Sequence, residues 1–431
     1  MLIEFQVANF KSFKEKQTLS MIASSDKSLP GNTTVVEGLG NGRLVRSAVI
    51  YGANASGKSN LVDALKFVRL FVARSVERKP DREIPVRPFL LDTESAQAPS
   101  GFEMSFVCKG VRCQYGFSVD SKRVHEEWLV AYPRGKAQTW FERPVDNYDD
   151  PDKWYFGPGL QGEKKRFVRM LRPDALFLSV AARFAHQQLT DIYEWFVDNS
   201  RIIKMSEFPE IQEMEQFTAS AMNEAEPVHT AVRGLLRLAD LGISDVSTEK
   251  KRPFVETDFP PDIFTEKGRS MLTEREVFAV RMQHRTRGPA DSEVYLPLQD
   301  ESCGTRRFFA LSGPWLYALS MGQVLAVDEI DSSLHPHLVR ALVELFHNPE
   351  VNRGGQLIFN THDVTQLDNT LFRRDQIWFV EKDSAGASHL YPLLEYKPRK
   401  DEALEKGYLQ GRYGAVPFIG SPEGLVFSVE E

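Results

Sequence analysis

Residues 2–10, LIEFQVANF, alternate apolar and polar positions with a period of two, which predicts a half-buried strand. Residues 45–50, VRSAVI, form a short apolar strand that runs into YGANASGKSN and then into LVDALKFVRLFVARSV, whose apolar spacing predicts a helix. Three more strand-like runs, at 102–107, 111–119 and 124–132, predict a meander. Loop-rich sequence with Pro, Gly and Asp follows to about residue 165. Helices are predicted near 186–199 and 228–240, the residues between them carry no clear period, and strand character returns at 276–285. The last third alternates a helix over RRFFALSGPWLYALS, the strand VLAVDE, a helix over HPHLVRALVELFHN, the strand QLIFNTHD, a helix after Asp363 and the strand IWFVEK. Such alternation predicts an α/β fold with a largely parallel sheet. No internal repeat, low-complexity tract or sustained heptad pattern is present, so a long coiled coil is not expected.

The first apolar strand and the first helix bracket the clearest chemical signal. Gly52-Ala53-Asn54-Ala55-Ser56-Gly57-Lys58-Ser59 fits G-x-x-x-x-G-K-[ST], in the strand–loop–helix setting that a phosphate-binding loop needs. The glycines let the backbone curl so that several N–H groups point at one phosphate, and the helix N-terminus adds positive dipole. Lys58 is expected to reach the β- and γ-phosphates, and the Ser59 hydroxyl to ligate Mg²⁺. Gly52, Asn54, Gly57, Lys58, Ser59 and Asn60 are the candidate nucleotide-binding residues of this stretch.

VLAVDE ends an apolar strand in two carboxylates. Beside a phosphate loop, Asp328 is expected near Mg²⁺, leaving Glu329 to polarise a water for attack on the γ-phosphate. His362 closes the second apolar strand, where a histidine either hydrogen-bonds the γ-phosphate or its water or is an ordinary half-buried side chain. His335 and His337 flank a proline, a spacing poorly suited to one helix face, and no metal site is expected from them with Asp331.

Composition narrows the class. The chain has 431 residues, 42% hydrophobic and 26% charged, with a formal net charge of −7. It is long enough for two or three structural units. The surface as a whole is not a polyanion-binding one, although Lys164-Lys165-Arg166, Lys250-Lys251-Arg252 and Arg281 with Arg285 and Arg287 are local basic clusters. Cys108, Cys113 and Cys303 form neither a disulfide framework nor a paired metal spacing. With no apolar run of roughly 18 residues and no signal-peptide pattern at the start, a cytoplasmic protein without a membrane segment is expected.

ESCGTRRFF at 301–309 needs a further explanation. Ser302 lies 26 residues before Asp328 (328 − 302), with a predicted helix between them. Phosphate loop, large insertion, Ser-x-Gly helix, acidic pair, SSLH loop and strand-end histidine, in this order, resemble the soluble branch of the ABC-type ATPases. That branch includes the structural-maintenance-of-chromosomes (SMC) and OLD-type proteins. MLIEFQVANFKSF, VDEIDSSLHPHL, NTHD and GYLQGRYGAVPFIG extend the resemblance to bacterial RloA-type ATPases of anti-phage defence. The resemblance implies a two-lobed ATPase head of mostly parallel sheet plus antiparallel strands, with ATP and Mg²⁺ as ligands. It gives Ser302 and Gly304 the signature role on the ATP of a second subunit. Ser332 to His335, with Ser333 facing nucleotide, take the loop role between subunits, and His362 the switch role. Gln187 or Gln188 is the candidate for the family's Mg²⁺-linking glutamine. Lys11 either touches phosphate, as basic residues there do in relatives, or is a solvated lysine.

The expected organisation is a head formed by 1–135 and 276–431, with 136–275 as a mostly helical insertion. A homodimer closed around ATP is expected. The resemblance implies control of a separately encoded effector, a nuclease, in defence; the 69 residues after His362 (431 − 362) are too few for the nuclease domain that OLD-type proteins carry there. The alternative is an ATPase that clamps DNA in repair or chromosome maintenance. Third comes a transporter subunit, which the lack of a membrane span disfavours.

Overall fold

The structure is a computed structural model that describes residues 1–40, 42–79, 82–251, 277–284, 294–399 and 402–417. Two sheets dominate it. The antiparallel one contains β1 (Leu2–Ala8), β2 (Gln17–Ser20), β6 (Ser100–Cys108), β7 (Val111–Val119), β8 (Val124–Ala131), β9 (Gln138–Arg143) and β10 (Tyr155–Phe156), in the order β10-β9-β8-β7-β6-β1-β2. The predicted meander is its centre. The chain's first strand closes its edge against β6, with Phe5 opposite Met104. A separate ribbon pairs β3 (Thr33–Val35) with β4 (Arg43–Val45).

The second sheet runs β11-β15-β16-β5-β17-β18. It joins β5 (Ser47–Tyr51), β11 (Ser200–Lys204), β15 (Val324–Asp328), β16 (Gln356–Asn360), β17 (Ile377–Lys382) and β18 (Ser388–Pro392). All its pairings are parallel except β17 with β18. β5, β15 and β16 are buried at every residue, because both faces are covered. On one face Ala48 and Ile50 share a core with α1 (Lys58–Arg74) and the antiparallel sheet. On the other, Val49 and Tyr51 share a core with α8 (Cys303–Met321) and α9 (Pro336–His347). Phe67 and Phe71 of α1 stack on Phe102 and Phe117 of the antiparallel sheet, with ring centroids 5.0–6.5 Å apart. Gln356 joins the sheets: it accepts from Leu2 N at 2.7 Å and donates to Leu2 O and Val45 O.

The span 136–275 holds more strand than its sequence predicts. It contains β9 and β10 of the antiparallel sheet and β11, which pairs with the acidic strand β15. Its helices include α5 (Gln187–Asp198), α6 (Phe208–Glu224) and α7 (Glu226–Leu238), followed by β12 (Ile243–Lys251), which pairs with β13 (Val277–His284) and, through it, with β14 (Val294–Pro297). Residues 252–275 of this span, Arg285 and Arg287, and the tail from 418 lie outside the described residues. The stretch directly after Asp363 is not the predicted α-helix. A single 3-10 turn, Val364–Gln366, stands there, because the Asp363 carboxylate accepts from Thr365 N and Asp368 does the same for Thr370 N. These side-chain turns replace helical backbone bonds.

Pro314 lies inside α8, where its missing N–H leaves the Ala310 carbonyl without its helical donor. Thr218 of α6 supplies the substitute: its hydroxyl donates to Ala310 O at 3.1 Å and accepts from Gly313 N at 3.1 Å. This fixes how α6 lies on α8. Thr218→Val keeps the shape, leaves Ala310 O unsatisfied in a buried place, and is expected to cost about 1–3 kcal/mol. A urea unfolding curve should show a lower midpoint with unchanged slope.

Candidate nucleotide-binding site

β5 stops at Tyr51, the loop turns through Gly57 at φ 118°, and α1 begins at Lys58. Residues 54–60, Glu329, His362 and Lys382 line one cleft of about 500 Å³. The loop is held from outside by two serines. Ser388 Oγ donates to Ser56 O at 2.5 Å and lies 2.7 Å from Ser12 Oγ, which accepts from Asn60 Nδ2 at 2.7 Å. Lys58 is 5% exposed and its Nζ donates to Gly52 O (2.8 Å) and Ala53 O (3.1 Å). Burial lowers its pKa to about 8, against the opposing pull of Asp328, Glu329 and Asp331. The loop's Ser56 hydroxyl is buried and has no hydrogen-bond partner among the described residues.

The ends of β15 and β16 meet beside this loop through Asn360, which sequence reasoning missed. Its buried amide donates to Asp328 Oδ1 and its carbonyl oxygen accepts from Glu329 N at 2.6 Å. Glu329 is thereby held at φ 56°, a left-handed conformation that a glutamate adopts only under such constraint. Asn360 precedes Thr361 and His362 at the end of an apolar strand, and a polar residue fully inside such a strand is the signal that points to it. His362 N donates to Asp331 Oδ2 at 3.2 Å. Burial and then Lys58 lower the imidazole pKa below its usual value, which favours the neutral ring near pH 7. A magnesium ion fits this corner by donor chemistry. The Ser59 hydroxyl has no hydrogen-bond partner among the described residues and Asp328 offers carboxylate oxygen, both hard ligands.

Ser302 caps α8, accepting from Thr305 N at 3.1 Å. Gly304 packs on the SSLH loop of its own chain: a Cβ there would stand 2.7 Å from Ser333 O. Arg307 donates to Ser332 Oγ (2.6 Å) and Ser333 Oγ (2.7 Å), and Arg306 forms a two-pronged pair with the buried Glu215 of α6. His335 caps α9. Ser302, Gly304 and Ser333 therefore form one unit, but none lines the cleft of its own chain.

Two expectations are corrected. Gln187 is exposed at the start of α5, and Gln188 clamps an outlying loop, accepting from Gln161 N (2.8 Å) and donating to Gly159 O (3.1 Å). Neither lines the cleft, because α5 starts at the rim of the antiparallel lobe where His186 caps it. Lys11 is also off the cleft. Its Nζ pairs with Asp63, which lies one helical turn beyond Ser59 and also meets Lys204 at 3.2 Å. For Lys204, burial opposes the charge, but the bonds to Glu207 and Asp63 prevail and raise its pKa. Four residues of the basic clusters have carboxylate partners: Lys165 with Asp152, Arg166 with Glu163, and Lys251 and Arg281 with Glu249.

The depressed Lys58 pKa makes nucleotide affinity depend on pH. Below about pH 8 the amine is charged with or without ligand, so affinity is flat. Above that, bound phosphate has to restore a proton, and affinity falls by up to about tenfold per unit until the higher pKa of the complex is passed. Titrating a fluorescent ATP analogue from about pH 7 to 10 reads this directly. Asn360→Leu should leave metal-free nucleotide affinity within about twofold and lower Mg²⁺-dependent turnover about 10- to 100-fold, measured by phosphate release.

Among the described residues, no helix is long and apolar enough to cross a membrane. No curated protein matches the chain. Solved structures similar to it include the SMC head domain from Thermotoga maritima, 13% identical, covering 91% of this chain and 98% of that one, with a TM-score of 0.42. The SMC head bound to the C-terminal winged-helix domain of ScpA is 15% identical over 91% and 97%, with a TM-score of 0.38. A family model described as "AAA domain, putative AbiEii toxin, Type IV TA system" matches residues 47–368, from the first residue of β5 past His362. With the phosphate loop, the acidic strand and the histidine strand all inside that span, the chain belongs to this family of AAA-type P-loop ATPases.

Proposed function

We propose that this protein binds Mg²⁺–ATP in the cleft and hydrolyses it, and that ATP joins two copies through the Ser302 turn. The hydrolytic reading is carried by one observation: Lys58, Glu329 and His362 converge on a single cleft around the loop, with Glu329 fixed by Asn360. Loop amides and Lys58 hold the phosphates, Glu329 takes a proton from the attacking water, and neutral His362 accepts or donates a hydrogen bond beside it. Magnesium, held by Ser59 and Asp328, supplies charge neutralisation on the phosphates.

Self-association is supported by the exposed N-terminus of α8, which carries Ser302 and stands away from its own chain's cleft. A helix start with a hydroxyl is suited to an anion, and the cleft of a second copy presents one when ATP fills it. Closure on ATP and release on hydrolysis would then control a partner. The resemblance to RloA-type ATPases favours a separately encoded effector, a nuclease being the expected class, in a cytoplasmic defence system; the family description, which names a toxin–antitoxin system, agrees with the defence context alone. DNA clamping is less favoured, because Lys165, Arg166 and Lys251 of the basic clusters each have a carboxylate partner.

Glu329→Gln, which retains ATP, should change from monomer to dimer on adding Mg²⁺–ATP, or from a loose to a long-lived dimer, by light scattering. Ser302→Arg should keep nucleotide binding and lose both closure and turnover. Normal turnover in Ser302→Arg would refute the dimer.

A further inference from the structure

Two features remain outside the account above: Lys382, which no motif predicted, and the GRYGAV segment near the C-terminus. They meet at the end of β17. Parallel pairing sets Ile377 opposite Val49, Trp378 opposite Ile50 and Phe379 opposite Tyr51. Three residues further on, Lys382 lines the same cleft as Asn54, the first loop residue to do so. Side chains alternate along a strand. Trp378 and Val380 face the core shared with α1, while Ile377 and Phe379 face the opposite core. Lys382 continues the first row and lines the cleft; Glu381 continues the second. Among the described residues Lys382 has no ion-pair or hydrogen-bond partner.

Glu381 is held by the C-terminal segment. Its Oε2 accepts from Ala415 N at 3.1 Å and from the Tyr391 hydroxyl at 3.0 Å, and that hydroxyl is 2.9 Å from Tyr413 O. Tyr413 is buried and stacks on Phe379, with ring centroids 5.8 Å apart. A Cβ on Gly414 would stand 2.6 Å from both Glu381 Oε2 and the Tyr391 hydroxyl, so only glycine permits this approach.

We propose that Lys382 contacts the terminal phosphate of the nucleotide, and that the segment around Gly414 positions it by anchoring Glu381. The proposal rests on the reading of the cleft as an ATP site. The amides at the start of α1 serve the inner phosphates. The outermost phosphate then lies toward the Asn54 limb, Glu329 and His362, where Lys382 stands. A second ammonium there distinguishes ATP from ADP, since only ATP carries the charge it meets.

The test is calorimetric titration of the full chain with Mg²⁺–ATP and Mg²⁺–ADP in the Glu329→Gln background. Lys382→Ala should weaken ATP at least about tenfold and ADP by no more than about twofold, and Lys382→Arg should restore most of the difference. Equal losses for both nucleotides, or no loss, overturn the assignment. If the parent protein binds neither nucleotide, the ATP-site reading fails first and takes this one with it. Tyr391→Phe keeps the ring and removes one bond to Glu381; Gly414→Ala displaces the segment. Each should weaken ATP with Lys382 present and add nothing in Lys382→Ala. A loss of the same size in both backgrounds, or none in either, overturns the positioning role.

Discussion

The covering of the parallel sheet on both faces is the constraint from which the site follows. Strands buried at every residue cannot satisfy their backbone groups with water, so β15, β16 and β5 pair along their whole length and end together. Their ends are the only places where polar residues are admitted. Asp328, Asn360 and Gly52 are the residues found there or one position beyond, and Asn360, buried with them, joins the acidic strand to its neighbour through a carboxylate and an amide. An unpaired side-chain amide at that depth would be costly, so the same bonds that satisfy Asn360 hold Glu329 in its left-handed conformation.

Around this line the rest of the chain acts as scaffolding. Ser12, just after the first strand, and Ser388, at the start of the last, hold the phosphate loop from opposite ends of the sequence. The long helix after the loop is fixed by its aromatic residues against the antiparallel sheet, and Gln356 ties that sheet to the parallel one. The contacts of Ser388 and Gln356 bridge parts of the chain more than 300 residues apart.

The Ser-x-Gly turn packs against the loop that follows the acidic pair. Gly304 lies against Ser333 O, Arg307 reaches Ser332 and Ser333, and those serines follow Asp328 and Glu329 by only a few residues. Arg306 on Glu215 and Thr218 on Ala310 anchor the same helix to α6.

The strand–loop–helix around Lys58 and the apolar strands that lead to Asp328 and His362 were legible without coordinates, because each is marked by a short local spacing: a strand end, a glycine-bearing turn, a helix start. The meander, α1 and the acidic strand were legible for the same reason, as their apolar periods are long and regular. What only the tertiary structure decided was which distant segments reach the cleft. Gln187 and Gln188 looked suitable by resemblance, yet α5 starts at the rim of the antiparallel lobe. Lys11 met Asp63 instead of the cleft, and β11 left the expected helical insertion to complete the parallel sheet. Asn360 and Lys382 had no motif to announce them, since their roles come from strand register and alternation between β5, β15, β16 and β17. Periodicity reports which face of an element is buried; which element it is buried against is settled by pairing between residues far apart in the chain.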